Sequence, residues 1–468
     1  MEFLQILDAG IAPGGLVEWV PSTPGGLGMW HRDPRPTSHN HELHLRSAFE
    51  YRARTRREGG RESWLGLTVE FDGPPAFPAI RSALVAWINR HEVLRTHVVL
   101  KASGTERYTT DAGTVRLKMS RIGWFADSSM LTEQIAGSFD RATAPLHWPA
   151  YRFATVTRPH SFTLLFAADH SLVDGYSLIN AQHELRELYQ AALDGRPADL
   201  PPVGSYVEFS GAERQSADGA DESHPAVGLW TEYLSGDRPL PRFELLTEPP
   251  KRGDDDPPPA QPSTSALLFD DAQTVALEEY FAAADGSLAG GLLAAMAVVY
   301  HRRSGAAEFA CLMPRHTRVH ADLHGALGWF VSVAPIAVRT DDDPDLDQCL
   351  ERAMRSLDEA RRGASLPMLR LAELADFTPH PKFVVSYMDT RRVPGAADAD
   401  AGAARVLRSH SYSDDEVYVW LNRTPAGLRM HARYPADEPG RPRSDILRGY
   451  LNDVAALLAS TPERPQGV

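Results

Sequence analysis

The 468-residue sequence has only two cysteines, Cys311 and Cys349. That is too few for a disulfide framework or a four-thiolate metal site. It fits a reducing cytoplasm. Lysine is also scarce, at Lys101, Lys118, Lys251 and Lys382, so nearly all the cations are arginine. Against 48 Lys and Arg stand 62 Asp and Glu, for a net charge of −14. A nucleic-acid partner is not expected, because such binding rests on cations neutralising phosphates. No apolar run approaches the ~18 residues of a membrane span; the longest, Leu288 to Tyr300, reads as a buried helix. The first fifteen residues lack the basic, apolar and small-residue regions of a secretory signal, so a cytoplasmic location is expected. There is no GxSxG elbow, no P-loop and no dinucleotide fingerprint in its strand–helix setting. Gly290-Gly291 falls inside a helical stretch and reads as close packing of that helix.

What is present is the composition of a globular protein, 43% hydrophobic and 24% charged. The length favours two lobes over one. Trp64 to Phe71 alternates as a strand. Pro78 opens a helix that carries Ile80, Leu84, Trp87, Ile88 and Leu94 on one face. Ser161 to Ala168 is apolar on both faces, as in a central strand. An amphipathic helix follows from about Tyr176 to Leu193. Residues 211–265 are rich in Ser, Asp, Gly and Pro and read as a loop or linker, with a short docking helix at Leu229 to Leu234. We therefore expect an N-terminal lobe over 1–205, a linker over 206–265 and a C-terminal lobe over 266–468. The second half carries helices at about Asp271–Ala284 and Ser287–Tyr300. Its strands are expected at Trp329–Val338, Phe383–Met388, Val417–Leu421 and Leu428–Tyr434, with a closing helix from Ser444. Residues 395–404 (GAADADAGAA) read as a mobile loop. The irregular mixture of strands and helices points to a mixed α/β (α+β) class.

The chemistry concentrates in Asp169-His170-Ser171-Leu172-Val173-Asp174-Gly175, between a buried strand and a helix. A histidine there is held rigidly with an edge toward a cleft, and an imidazole accepts a proton near neutral pH. Asp174 lies four residues on, and Gly175 permits a tight turn. The bland alternative is a strand-end turn with a capping Asp and a His satisfied by backbone.

This DHSLVDG stretch resembles the HHxxxDG motif of the condensation-domain superfamily. That superfamily includes chloramphenicol acetyltransferase, the condensation domains of nonribosomal peptide synthetases and the polyketide-associated acyltransferases. Arg90-His91-Glu92-Val93-Leu94-Arg95-Thr96 is similar to the RHExLRT run of condensation domains. Leu327-Gly328-Trp329-Phe330-Val331, followed by Pro335, is similar to their G-x-F-V-N…P segment. Phe383 to Tyr387 and Val417 to Arg423 resemble strands of the polyketide-associated branch. The resemblance spans residues 60 to 435. It implies two chloramphenicol-acetyltransferase-like lobes in a V-shaped pseudo-dimer with a central tunnel. His170 is then the catalytic residue, and Asp174 a structural one paired with an arginine, Arg315, or failing that Arg318. Gly175 brings backbone N–H groups toward a thioester carbonyl. The motif's first histidine is Asp169 here, a change that shifts the charge beside His170 and leaves a non-catalytic, degenerate module open.

Gly328, Trp329, Ser386, Tyr387, Trp420 and Asn422 are the substrate-contact candidates implied by the same resemblance, although aromatics on strands are more often core. No metal is expected. His39, His41, Glu42 and His44 look like a ligand cluster but read as solvated loop residues. His316, His320 and His324 are four apart, as on one helical face, yet read as surface. The acid runs at 254–256 and 341–343 read as solvated.

The resemblance implies a free-standing condensation enzyme with no bound cofactor. It takes an acyl or aminoacyl group from a phosphopantetheine thioester, on a carrier protein in trans or on CoA, and passes it to an alcohol or amine acceptor. Natural-product assembly of the enediyne type fits best, and trehalose-like glycolipid acylation is the nearest rival. A local Arg cluster is expected where an acidic carrier protein docks.

Overall fold

The computed structural model describes residues 2–25, 29–55, 64–235, 238–246, 258–343, 345–402, 404–440 and 442–461. Two compact units emerge, each assembled from separate stretches of chain. The first comprises Met1–Gly219, Thr317–Phe330 and Thr390–Ser411; the second comprises Ala220–His316, Val331–Asp389 and Tyr412–Val468. Continuous lobes meeting in a 206–265 linker are therefore not what forms. The described part of that stretch contains helices Tyr206–Asp218 and Pro225–Tyr233. Each is started by a side-chain cap, Ser205 for the former and His224 for the latter. Trp230, on the second of them, is fully buried and donates to the Gly363 carbonyl at 3.1 Å. The acid run at 254–256 lies outside the described residues.

The first unit is built on a seven-stranded sheet. Its spatial order is Glu2–Gln5, Arg405–Arg408, Trp64–Asp72, Ser161–Asp169, Tyr151–Thr157, Gly14–Ser22, Arg116–Phe125. All neighbours are antiparallel except the first pair. Ser161–Asp169 lies near the middle and is buried almost throughout, as its two-sided apolar pattern requires. Helices Phe77–Arg90 and Gly175–Asp194 pack together. Trp87 of the former stands edge-on to Phe166 of the sheet at 4.9 Å and donates Nε1–H to Glu184 of the latter at 2.8 Å. Truncating it to Ala costs about 3–5 kcal/mol.

The second unit holds a six-stranded sheet in the order Ser263–Asp270, Gly427–Arg433, Val417–Thr424, Phe383–Asp389, Glu308–His316, Val331–Arg339. The buried helix Leu288–Ser304 packs so tightly that a Cβ on Gly291 would lie 2.2 Å from the Phe281 ring. Close packing is thus the role of the Gly pair. Residues Ala396–Ala401 form a short helix, with Ala396 and Ala399 buried, where composition reads as a mobile loop. Among the described residues no helix is long and apolar enough to cross a membrane.

Candidate active site

The motif turn is held at both ends by carboxylates. Asp169 closes the central strand, and its Oδ1 accepts from the Ser171 N–H at 2.9 Å. Asp174 is the N-cap of helix Gly175–Asp194 and accepts from the Ser177 N–H at 2.8 Å. Gly175 is the first helical residue. Between these two fixed points His170 projects from a turn whose other residues, Ser171 to Val173, are buried.

Asp174 is also the centre of a buried ion pair. Its partner is Arg318, not Arg315: Arg318 Nη1 lies 2.7 Å from Oδ2, and Nη2 lies 3.0 Å from Oδ1. Arg315 lies on strand Glu308–His316 of the second unit, in a ladder with Val331–Arg339. Arg318 belongs to the returning stretch 317–330, free of that ladder. The same stretch is tied down further. Phe330 N–H donates to Asp174 Oδ2 at 3.0 Å, Gly328 N–H to Ser177 Oγ at 3.2 Å, and Asn180 Nδ2 to the Gly325 carbonyl at 3.1 Å. Burial alone would raise the Asp174 carboxyl, but Arg318 and Ser177 hold it below its ordinary value. The Asp174 seen here is thus a structural group, its oxygens filled by protein.

Gly328 has no room for a side chain, since a Cβ there would meet the Tyr206 ring at 2.4 Å. Trp329, expected to begin a strand, instead lies in the returning stretch; the strand starts at Val331. Its ring lies 4.6 Å from the ring of His170. His170 is partly exposed, but Nδ1 is fully enclosed with no partner in another residue. Burial lowers the imidazole's pKa, against smaller opposing effects of its own backbone and the Asp169 charge. That direction favours the neutral ring.

Asp169 does not face His170 as a bare charge. Its Oδ2 is 2.9 Å from Nε2 of His44. His44 sits on helix His39–Thr55, where the sequence reads as a solvated loop. His39 and His41 of the same run are buried, against Asp218 at 2.8 Å and Thr37 at 3.1 Å respectively. The cause is tertiary: this helix has a weak apolar stripe and is held by such polar contacts.

The Arg90–Thr96 run serves the same region. Glu184 receives Arg90 Nε at 2.8 Å and His91 Nε2 at 2.6 Å, while His91 Nδ1 accepts from the Leu327 N–H at 3.4 Å. Burial would raise the Glu184 carboxyl, yet these partners bring it down to about 2. Composition and spacing give no sign of Glu184; Ser177, three residues past a capping Asp, has a local signature.

Ser386, Tyr387, Trp420 and Asn422 belong to the second unit. Ser386 and Trp420 are paired in register on adjacent strands, and Asn422 is buried with Nδ2 unsatisfied. His316 ends a strand, while His320 and His324 flank a short 3-10 turn, so no helical face aligns the three. Among the described residues, no group of three or more His, Cys, Asp or Glu side chains is arranged to hold a metal.

The family model named Condensation domain matches residues 60–388. The chain belongs to the condensation-domain family. Its mixed α/β fold is that of condensation domains and related acyltransferases. The condensation-domain chain is 26% identical over 480 residues to Acyltransferase PapA3 of Mycobacterium tuberculosis, covering 97% of each. It is 26% identical over 445 residues to the phosphinothricin tripeptide synthetase PhsC of Streptomyces viridochromogenes, covering 85% of this chain and 40% of that one. Among solved structures, the PapA2 acyl transferase matches with a TM-score of 0.85 at 20% identity, over 98% of this chain and all of that one. The first condensation domain of the CDA synthetase matches with a TM-score of 0.69 at 17% identity, over 92% and 97%.

Proposed function

We propose that this condensation-family chain is a free-standing acyltransferase of natural-product assembly, working in the cytoplasm. It takes an acyl or aminoacyl group from a phosphopantetheine thioester, on a carrier protein or on CoA, and delivers it to a hydroxyl or amine of a small acceptor. The observation that carries this reading is the placement of His170, partly exposed between the anchored Asp169 and Asp174, with Nδ1 enclosed and its pKa lowered by burial. In the step, the acceptor's proton passes to Nε2 as its oxygen or nitrogen bonds to the thioester carbonyl. Collapse of the tetrahedral intermediate breaks the C–S bond, and the thiolate leaves with the proton from His170. No metal or tightly bound cofactor takes part in this scheme.

The match to Acyltransferase PapA3 over 97% of both chains supports the acyltransferase reading. A non-catalytic module was suggested by Asp169; the engagement of that carboxylate by His44 and Ser171 leaves the His170 ring unclaimed, which supports catalysis. The test offers carrier-bound and CoA-bound aminoacyl and fatty-acyl thioesters to diol, sugar and amine acceptors, with products read by mass spectrometry. Product that disappears in His170→Ala supports the proposal, and the productive pair separates aminoacyl ester formation from glycolipid acylation. Equal product from His170→Ala, or none from the wild type, defeats it.

A further inference from the structure

Two imidazoles contact the same indole in the first unit. The ring of His170 lies 4.6 Å from that of Trp329, and the ring of His44 stands edge-on to it at 5.8 Å. His44 arrives from a helix 125 residues before Asp169, whose Oδ2 it holds at 2.9 Å. Both members of that pair are largely shielded, the Asp169 side chain 2% exposed and His44 16%. The backbone on either side of Trp329 is fixed through Gly328 and Phe330, so the indole's orientation is left to side-chain neighbours.

A buried carboxylate one residue from His170 is a hazard to a base. Without a partner of its own it would either take up a proton or draw the nearest imidazole into an ion pair. His44 occupies its Oδ2, while the Ser171 N–H occupies Oδ1. We propose that His44 is a positioning residue for His170: by holding Asp169 and packing on Trp329, it keeps the His170 ring free and aimed at the acceptor. The inference rests on the proposed role of His170, and its test also has a readout independent of turnover.

The charged groups acting on the His170 ring are His44 from the first helix, Asp169 from the motif strand and Arg408 from strand Arg405–Arg408. The variants are His44→Ala, His44→Gln, Asp169→Asn and the double variant His44→Ala with Asp169→Asn. NMR of histidine-labelled protein follows the titration of His170 in each. His44→Ala should raise the His170 midpoint, because the His44 interaction that lowers it is lost and the Asp169 carboxylate that raises it is released; Asp169→Asn should lower it; the double variant should return toward the wild type. In turnover, His44→Ala should lower kcat on the order of 10–100-fold with little change in KM, as small misplacements of catalytic groups do. His44→Gln, which keeps a donor for Asp169, should recover part of that loss. In a His170→Ala background, His44→Ala should cost nothing further. An unmoved His170 midpoint in folded His44→Ala and His44→Gln, or no relief in the double variant, overturns the proposal. A wild type without His170-dependent product would instead defeat the proposed function, with the titration still deciding the role of His44.

Discussion

Arg318 grips Asp174 with two nitrogens, at 2.7 Å and 3.0 Å, with side chains 1% and 3% exposed. The guanidinium also lies over the rings of Phe330 and Tyr176, at 4.2 Å and 4.8 Å. Asp174 thus joins three things: the helix start, the motif turn and a strand-free stretch from much later in the chain.

Breaking this pair from either side leaves a buried charge unmatched. Asp174→Ala and Arg318→Ala should each destabilise the protein by about 3–5 kcal/mol, measured by urea unfolding. Arg318→Lys should restore little, since an ammonium cannot reproduce the two-pronged contact. Arg315→Ala should leave unfolding far less changed. Equal effects of Arg315→Ala and Arg318→Ala would contradict the assignment.

Acid should weaken the fold through Glu184. Its folded pKa is about 2 against an ordinary 4.5, so its contribution is complete above 4.5 and is lost as pH falls from 4.5 through 2. The loss amounts to roughly 3 kcal/mol. Urea midpoints taken across that window should fall in the wild type and fall less in Glu184→Gln. Parallel curves would rule out this source of acid sensitivity.

The rate should depend on pH in a set direction. Burial lowers the His170 pKa below 6.5, so the neutral ring persists into mildly acidic solution. The half-point of the acid decline in kcat/KM for the productive pair should lie below pH 6.5. A half-point above 6.5 would mean that the base is another group.

Gly328→Ala should be destabilising by about 1–3 kcal/mol, the usual result of overpacking. Its Cβ would sit 2.4 Å from Tyr206 and 2.8 Å from Phe330. Thermal unfolding measures the first effect; lost turnover in protein that stays folded would show that Trp329 has moved.

Both cysteines should resist modification in the native state. Cys311 and Cys349 are buried, and burial pushes the Cys349 thiol up to about 11 and that of Cys311 higher still. A thiol-reactive dye at mildly alkaline pH should label them only as the protein unfolds. Prompt labelling of folded protein would disprove their enclosure.

Much of the site's local frame is written in nearby residues. Alternation located strand Trp64–Asp72, two-sided apolarity located Ser161–Asp169, and Asp174 followed by a helical stripe located the start of Gly175–Asp194. What pattern does not carry is who meets whom across long separations. Arg318 and Arg315 are chemically alike and three residues apart; only the ladder that commits residues up to His316 to a strand separates them. His44 was hidden for the opposite reason: a run of His, Asn and Glu offers no apolar period, and the helix is stabilised by polar contacts that spacing does not reveal. Gly328 is recognisable as a motif residue, while the tyrosine that requires it, Tyr206, lies at the start of the span 206–265 assigned to a linker.

The strand Arg405–Arg408 lies between Glu2–Gln5 and Trp64–Asp72 in the first unit's sheet. During synthesis, then, the sheet has a gap beside the motif strand's neighbour until roughly two hundred residues beyond Gly219 have emerged. At translation speeds of about 5–20 residues per second, that wait is on the order of 10–40 s. Through it, Trp64–Asp72 presents an open edge, and for roughly its first half Asp174 also has no Arg318. The nascent chain is therefore exposed to mispairing for longer than its size alone implies, and a gene fragment ending at residue 219 encodes a sheet with its inner strand missing.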